Sequence, residues 1–452
     1  MSASKKTIAA VEIGSSKIKA ALGTVDEFGT LTVDAVEQVA MTDSVRYGWI
    51  RNVNDVSGVI NNILRNLENR IGRKITSVYV GVGGRSLSAT DRHVERQLAQ
   101  DMEIVPQLLE NMRSEAYRMP GFVDREVIDV LPCEYQVDRI STFQPSGMVG
   151  RNVRATYKVI SAKQQQRRNI DTVLTSKLGL TVNGYIVRQK AQAELVLTRE
   201  EMALGCMLVD FGAETITVSI YKNGVLRYLQ TIPLGSRLIT RDLMNLNYVE
   251  EQAEDIKRQN GNAMAQPVAP AAAGVINFNE ISNYVGARVK ELTANIKAQV
   301  KFAGMNTSDL PAGIIIVGNG ARLNGFNSRL ESETGMSVRS GAPTPSVRIS
   351  DSRISPSEVI DVIAVLRSAA MNNPVECTVA PEPYVPQGVE LQTVSQPEEP
   401  QDEPAYVPED IPEPTRKKKK SFGFISRLRN GITDIMRDPE DDDDDEELND
   451  DN

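Results

Sequence analysis

The stretch LVDFGAETITVSI, residues 208–220, decides the fold of this chain. An apolar strand ends at Asp210, a turn containing Gly212 follows, and β-branched residues continue into a second strand. Such a turn points backbone N–H groups at an anion, and glycine lets a phosphate come close. A carboxylate at a strand end beside such a turn commonly holds a hydrated Mg²⁺. The stretch therefore predicts a β-hairpin that is a candidate phosphate site, with Asp210 as a candidate metal ligand.

The same strand-and-turn pattern occurs twice more, in VEIGSSKIKAALG at residues 11–23 and in IIIVGNGARLNGF at residues 314–326. Hydroxyls and an ammonium beside a glycine suit an anion, whereas a pair of glycines lets a flat base or ribose approach the backbone. The candidates in the three turns are Gly14, Ser15, Ser16 and Lys17, then Gly212, Ala213 and Thr215, then Gly318 and Gly320. Each turn alone is also explained as a plain structural turn. Their repetition predicts an internal duplication with a cleft between its halves.

The body of the chain, from about residue 6 to residue 373, alternates β-branched runs with helical patterns and predicts an α/β fold. Two long helices are predicted at residues 53–72 and 279–304. The first has Asn54 or Asp55 as its N-cap and ends before Gly72. Asn223-Gly224 predicts a hairpin turn. The low-complexity residues 259–279 predict a surface loop.

Composition excludes several classes of function. The net charge is −9 over 452 residues, but residues 440–452 alone hold ten acids, so the body is close to neutral and has no nucleic-acid signature. The three cysteines lie too far apart in the sequence for a zinc site or a disulfide framework. Their pattern favours a location in the reducing cytosol. The single histidine, His93, is expected at the surface, which argues against histidine-based acid–base chemistry.

The C-terminal part predicts a tethered membrane anchor. Residues 374–415 hold ten prolines, ten acids and no lysine or arginine, which predicts a disordered linker. Residues 416–437 follow as a basic amphipathic segment, and 438–452 as an acidic tail. No apolar run reaches the roughly 20 residues that a spanning helix needs, so the segment is expected to lie on anionic lipid from the cytoplasmic side. Its alternatives are a helix that docks on the body and a basic patch of the nuclear type.

A helix over residues 421–437 separates apolar from polar side chains. The predicted lipid contacts are Lys417, Lys418, Lys419, Lys420, Phe422, Phe424, Ile425, Leu428, Ile432, Ile435 and Met436. The acidic tail should be repelled by anionic lipid; it either projects into the cytoplasm or folds back on the cations and weakens the contact.

In their order along the chain, the three turns resemble those of the actin-like ATPase superfamily. Within it, several segments are similar to the FtsA family of bacterial cell-division proteins, and the basic tail after a linker matches as well. These segments are residues 47–64, 78–87, 127–138, 145–162, 194–212, 233–243 and 253–257.

The resemblance implies an actin-like two-lobed α/β fold with an inserted subdomain, followed by the disordered linker and the C-terminal amphipathic helix. The implied ranges are 6–84, 164–204 and 355–373 for the first lobe, 85–163 for the inserted subdomain, 205–234 and 312–354 for the second lobe, and 235–311 for its small subdomain.

The resemblance also implies site residues for ATP and Mg²⁺. Glu12 and Asp210 would flank Mg²⁺ through water, and the residues of the first two turns would hold the phosphates. The ribose and base would be lined by Gly235, Glu254, Lys257, Gly318, Gly320 and Arg322. Glu254 and Lys257 are otherwise explained as an ordinary surface pair on a helix. The sequence departs from the family at Glu12, Ala213 and Glu214, among others, which bears on hydrolysis more than on binding and predicts weak or absent ATPase activity.

The implied function is mechanical. The chain would polymerise and tether FtsZ filaments to the cytoplasmic face of the membrane at the division septum, recruiting later division proteins. The acidic C-terminal tail of FtsZ would dock on residues 235–311, where the candidates Arg288, Lys290, Lys297 and Lys301 are otherwise explained as a solvated helix face. The alternatives are another actin-fold ATPase, either Hsp70-like or a pilus-assembly scaffold, and a small-molecule kinase.

Overall fold

The computed structural model describes residues 5–121, 123–265, 278–372 and 374–380. The predicted basic helix and acidic tail, most of the predicted linker and most of the predicted loop at residues 259–279 lie outside these ranges. None of the described helices is both long and apolar enough to cross a bilayer.

The strands are β1 (Lys6–Ile13), β2 (Lys17–Val25), β3 (Leu31–Ala40), β4 (Val45–Arg46), β5 (Trp49–Ile50), β6 (Lys74–Ile75), β7 (Ser77–Val82), β8 (Ser88–Glu103), β9 (Arg125–Val137), β10 (Ile140–Thr142), β11 (Val149–Lys163), β12 (Thr181–Val187), β13 (Cys206–Phe211), β14 (Ile216–Lys222), β15 (Val225–Ile232), β16 (Ile314–Val317), β17 (Val338–Ser340), β18 (Val347–Ile349) and β19 (Thr378–Val379).

The α-helices are α1 (Val53–Ile71), α2 (Pro106–Arg118), α3 (Gln164–Asp171), α4 (Arg188–Val196), α5 (Arg199–Leu204), α6 (Arg237–Met244), α7 (Glu250–Asn260), α8 (Phe278–Phe302), α9 (Phe326–Thr334) and α10 (Ile360–Met371). A π-helical segment follows α3 at Thr172–Lys177, and short 3₁₀ segments lie at Thr307–Asp309, Asn319–Arg322 and Pro356–Glu358.

Two sheets share an arrangement of five strands, to which the first sheet adds β18 as a sixth strand beside β3. The first sheet has the order β12-β7-β1-β2-β3-β18, and the second has the order β15-β14-β13-β16-β17. In each sheet, three consecutive strands pair antiparallel to one another. Two further strands lie on the other side of the first of these three and run parallel to it. The leading strands β1 and β13 are almost wholly buried. This shared order is the internal duplication that the repeated turn predicts.

The two leading hairpins turn in the same way. The N–H of Gly14 donates to the carbonyl oxygen of Lys17 at 3.0 Å, and the N–H of Gly212 donates to that of Thr215 at 2.9 Å. Both turns project from the ends of buried strands, so the packing of the two sheets fixes where the turns lie.

A third sheet, β10-β9-β11-β8, extends over Ser88–Lys163 and has its own core. Helix α2 packs on it with Met112 and Ala116 fully buried. The long antiparallel pairings of β11 with β8 and β9 make this sheet a separate layer inserted between β7 and α3.

The N-cap of helix α1 lies earlier in the sequence than predicted. Its N-cap is Asn52, whose side-chain oxygen accepts from the N–H groups of Asn54 and Asp55 at 3.0 and 3.2 Å. The prediction of Asn54 or Asp55 as the cap was wrong because both already lie in the first turn. The predicted end at Gly72 is confirmed, with φ +64°.

The hairpin predicted at Asn223-Gly224 is also confirmed. It joins β14 to β15, and the two residues have φ +56° and +76°. Positive φ at both central residues is the geometry that makes Asn-Gly a hairpin signal.

The linker does not begin at Pro374, as composition predicted. Residues 374–380, here called the C-terminal strap, pack on the first sheet. Cys377 is fully buried, its N–H donates to the carbonyl oxygen of Thr7 at 2.8 Å, and its carbonyl oxygen accepts from the N–H of Thr76 at 2.9 Å. β19 pairs with β6. These tertiary contacts order a segment whose composition alone predicts disorder.

Candidate functional site

The three glycine turns meet at one pocket between the first and second sheets. The pocket opens to solvent. Every candidate of the first two turns lines it, whereas the third turn contributes Gly318 and Asn319. The structure thus brings together residues that are some 300 positions apart in the sequence.

The first turn offers donors to this pocket. Ser15 Oγ accepts the N–H of Gly48 at 3.0 Å, which leaves its own hydroxyl proton free to donate. Ser16 is exposed, and Lys17 is half-buried. Burial, followed by the charge of Lys19, lowers the pKa of Lys17 below its ordinary value. Both effects disfavour its charged form, so an incoming anion would relieve the cost of keeping it protonated.

Glu12 and Asp210 lie at corresponding ends of β1 and β13, but an arginine that sequence reasoning missed lies between them. Arg188, the first residue of α4, pairs with Glu12 and places Nη2 3.0 Å from Asp210 Oδ2. Burial raises the pKa of Glu12 despite the charge of Arg188. Burial alone would lower the pKa of Arg188, but Asp210 and Glu12 together raise it.

This arrangement does not fit the predicted Mg²⁺ between Glu12 and Asp210, because the guanidinium already holds that place. In the part of the chain that the structure describes, no three His, Cys, Asp or Glu side chains group as metal ligands. No sequence pattern marks Arg188, whose partner Glu12 is 176 residues away.

A second ion pair that sequence reasoning missed lies beside the first turn. Lys19 Nζ is 2.5 Å from Asp361 Oδ2 and donates to the carbonyl oxygen of Glu358 at 2.8 Å. Both Lys19 and Asp361 line the pocket. In this ion pair, the positive charge of Lys19 compensates the negative charge of Asp361.

Glu214, in the second turn, also lines the pocket, and its carboxylate is engaged by residues of two other segments. Its carboxylate accepts the N–H of Tyr47 at 2.7 Å and pairs with Arg46 at 2.6 Å and Arg237 at 3.1 Å. The two arginines compensate the negative charge of Glu214.

Gly235 supports the second turn rather than lining the pocket. A Cβ on Gly235 would lie 2.3 Å from the carbonyl oxygen of Ala213, so only glycine fits against that turn. The following N–H groups, of Ser236 and Arg237, donate to Gly212 and Ala213 at 3.0 and 2.8 Å.

Glu254 and Lys257 form a partly buried network rather than an ordinary surface pair. Lys257 Nζ donates to Glu254 Oε2 at 2.5 Å and to Thr240 Oγ1 at 2.9 Å, and Lys257 is buried. Burial on its own raises the pKa of Glu254, but Lys257 and the hydroxyl of Thr240 outweigh it and lower that pKa. Neither residue lines the pocket.

The third turn is closely packed on the second. Gly318 has φ +91°, and a Cβ there would lie 2.4 Å from the carbonyl oxygen of Phe211. A Cβ on Gly320 would lie 2.8 Å from the ring of Phe211. Both positions therefore require glycine for packing, and Gly320 does not line the pocket. Arg322, also outside the pocket, pairs with Glu358.

The predicted partner-binding cations of α8 differ in their surroundings. Arg288 is engaged by Asp242, at 2.7 and 2.9 Å, and by Glu291. Lys290, Lys297 and Lys301 are exposed, although Lys297 Nζ donates to the carbonyl oxygen of Glu333 at 2.7 Å.

Known families match most of the described part of the chain. A family model described as "Cell division protein FtsA" matches residues 207–360, and one described as "SHS2 domain inserted in FTSA" matches residues 84–161. The two matches together cover just over half of the chain.

Individual relatives agree with these matches. A cell division protein FtsA of Porphyromonas gingivalis is 28% identical over 73% of this chain and 71% of its own length. One of Pseudomonas aeruginosa is 26% identical over 75% of this chain and 84% of its own length. Among solved structures, a chain of the "PilM-PilN type IV pilus biogenesis complex" superposes with a TM-score of 0.58 at 18% identity, covering 80% of this chain and 97% of that one.

The likeness to the pilus protein concerns the fold alone, and the predicted actin-like α/β fold is confirmed. The family predicted from the motifs is confirmed by both family matches and by the curated relatives. This chain belongs to the FtsA family of cell-division proteins.

Proposed function

We propose that this protein binds ATP, polymerises, and tethers FtsZ filaments to the cytoplasmic face of the membrane at the division septum, where it recruits later division proteins. The observation that carries the proposal is the convergence of three glycine turns on one pocket, in a chain of the FtsA family. The first two turns would hold the phosphates, and the third would approach the nucleoside.

The charges around the pocket support the binding of a polyanion. Four acids line it, and each is engaged by a cation: Glu12 and Asp210 by Arg188, Asp361 by Lys19, and Glu214 by Arg46 and Arg237. A triphosphate would therefore meet backbone N–H groups, hydroxyls and Lys17 without facing an uncompensated carboxylate.

Exposed apolar side chains on the third sheet support self-association. Met102, Ile140 and Val149 are 48%, 62% and 67% exposed. Exposed apolar side chains on a sheet are more typical of a protein–protein contact, here between copies of this chain, than of a surface that stays in water. Polymerisation head to tail would cover them.

The exposed lysines of α8 support docking of the acidic FtsZ tail. Lys290, Lys297 and Lys301 are spaced by seven and four residues, which places them on one face of the helix. Arg288 contributes less, because Asp242 and Glu291 already engage it.

Charge reversal tests this docking face. Lys290→Glu and Lys301→Glu are each expected to weaken binding of an FtsZ C-terminal peptide by about tenfold, because each replaces an attraction with a repulsion. Fluorescence anisotropy of the labelled peptide gives the affinity. Lys177→Glu, which reverses an exposed lysine elsewhere, is the control. Equal affinity in all variants would place the docking site on another surface.

Membrane attachment is proposed through residues 416–437. Several adjacent cations, at about 1 kcal/mol each on anionic lipid, and one apolar helix face are enough to hold a peripheral protein. Attachment of this kind needs no membrane-spanning segment.

Vesicle co-sedimentation with FtsZ tests the whole proposal. Full-length protein with ATP should carry FtsZ into the pellet with anionic vesicles. Ile432→Glu should abolish this, because it places a charge on the apolar face, whereas Asn430→Glu adds the same charge to the polar face and should retain most binding. Undiminished pelleting of FtsZ by the Ile432→Glu variant would contradict the proposed anchor.

A further inference from the structure

The guanidinium of Arg188 lies where a divalent cation would be expected. It bridges Glu12 and Asp210, the strand-end carboxylates of the two leading hairpins. The exposed side-chain fractions are 15% for Arg188, 3% for Glu12 and 8% for Asp210. The bridge is therefore a buried structure and not a surface ion pair.

The fold builds this position for an arginine. Arg188 directly follows β12, and its guanidinium packs over Gly83, where a Cβ would lie 3.2 Å from its central carbon. Glycine at residue 83 leaves room for the guanidinium. Arg188 Nε is buried and has no hydrogen-bond partner among the described residues, and the side chain lines the pocket.

An arginine and a hydrated Mg²⁺ meet different requirements. Mg²⁺ needs an octahedral set of oxygens and keeps several of its waters, so it needs free carboxylate oxygens and space for those waters. Arginine is always charged and binds carboxylate or phosphate through its planar fork. Here the fork already occupies the carboxylates, and Lys19 occupies Asp361, the remaining acid on this side of the pocket.

We infer that Arg188 takes the place of the divalent cation, so that the pocket binds an adenine nucleotide without a metal ion linking it to Glu12 and Asp210. The inference rests on the proposed nucleotide binding and specifies its chemistry. The fixed positive charge of Arg188 pairs with both carboxylates and offsets part of the negative charge that would otherwise repel the phosphates. The nucleotide affinity of the wild-type chain then does not depend on Mg²⁺.

Calorimetric titration of the full-length protein with ATP, in excess MgCl₂ and in excess EDTA, tests the inference. The two dissociation constants are expected to agree within about threefold. ATP binding that is about tenfold or more tighter in MgCl₂ would overturn the inference while leaving nucleotide binding intact. An absence of binding in both buffers would refute the proposed nucleotide site, and the inference with it.

The Arg188→Gln variant tests whether this arginine is the cause. Removing its charge leaves Glu12 and Asp210 free, so ATP binding should become about tenfold weaker in EDTA than in MgCl₂. Arg70→Gln removes an ion-paired arginine outside the pocket and should behave like the wild type. A folded Arg188→Gln variant whose affinity is the same in both buffers would overturn the inference. If circular dichroism shows that this variant does not fold, the wild-type titration decides alone.

Discussion

Glu214 joins residues from two parts of the chain at the edge of the pocket. Arg46 and the N–H of Tyr47 approach it from the segment that precedes α1, and Arg237 approaches from the start of α6. The carboxylate is 3% exposed, so its pairings are made largely out of water. A buried ion pair adds little net stability, but removing one partner is costly because the other charge stays buried.

Glu214→Ala is therefore expected to lower the free energy of unfolding by about 3 kcal/mol. This value lies at the low end of the cost of breaking a buried ion pair, because Arg237 retains a second partner, Glu250, at 3.0 Å. Urea unfolding of the full-length protein measures the change. Glu27→Ala, at an exposed position, is the control and should leave stability unchanged. An equal stability of both variants would show that Glu214 does not hold these segments together.

Glu254 gives the protein a pH dependence with a defined sign. Because the pKa of Glu254 is lowered in the folded state, its charged form stabilises the fold above the ordinary glutamate pKa of 4.5, and this stability is lost as the pH falls through the lower pKa of the folded state. Glu254→Gln should cost about 1 kcal/mol at pH 7, since the carboxylate is partly exposed.

The difference between wild type and Glu254→Gln should shrink as the pH is lowered below 4.5. Thermal unfolding between pH 3 and pH 7 measures it, and Asp255→Asn, at an exposed neighbouring position, is the control. A difference that stayed constant across this range would contradict the assignment.

Local chemistry explains which residues of the site the sequence could predict. Turn glycines beside Ser15, Lys17 and Asp210 signal an anion site within a few residues of sequence. Arg188 and Lys19 gain their roles from partners 176 and 342 residues away, so only the fold identifies them.

At the scale of elements, long and strongly patterned segments were predictable, whereas the C-terminal strap was not. Helix α1 and the β14–β15 hairpin carry local signals that tertiary contacts do not oppose. The strap has proline and acids that favour disorder, yet Cys377 fills a buried position beside β1 and β7. Tertiary packing there outweighs composition.

The strap predicts a difference between two truncations. A chain that ends at residue 380 should keep the stability of the body, whereas one that ends at residue 373 should lose about 2–4 kcal/mol. The loss corresponds to the backbone hydrogen bonds to Thr7 and Thr76 at about 1 kcal/mol each, together with burial of Cys377. Thermal and urea unfolding compare the two chains. Equal stability would mean that the strap contributes nothing to the body.

At the scale of the whole molecule, duplication explains the site. Two sheets that share a five-strand arrangement bring equivalent hairpins to one pocket, and the third sheet adds exposed apolar side chains on a separate layer. The duplication was predictable because each half repeats a strand, a glycine turn and a strand. The arrangement of the third sheet was not, since its long pairings join residues as far apart in the sequence as Ser88 and Ser161, without a local signal.

Calorimetric titration with ATP, comparing the wild type with Ser16→Glu and Ser16→Gln, tests the central claim that the glycine turns bind a nucleotide. Ser16 is exposed at the pocket, so neither change disturbs the core. The wild type and Ser16→Gln are expected to bind one ATP, and Ser16→Glu to bind at least about tenfold more weakly, because its carboxylate faces the phosphates. A wild-type chain without saturable binding, or a Ser16→Glu variant that binds ATP as tightly as the wild type, would contradict the account.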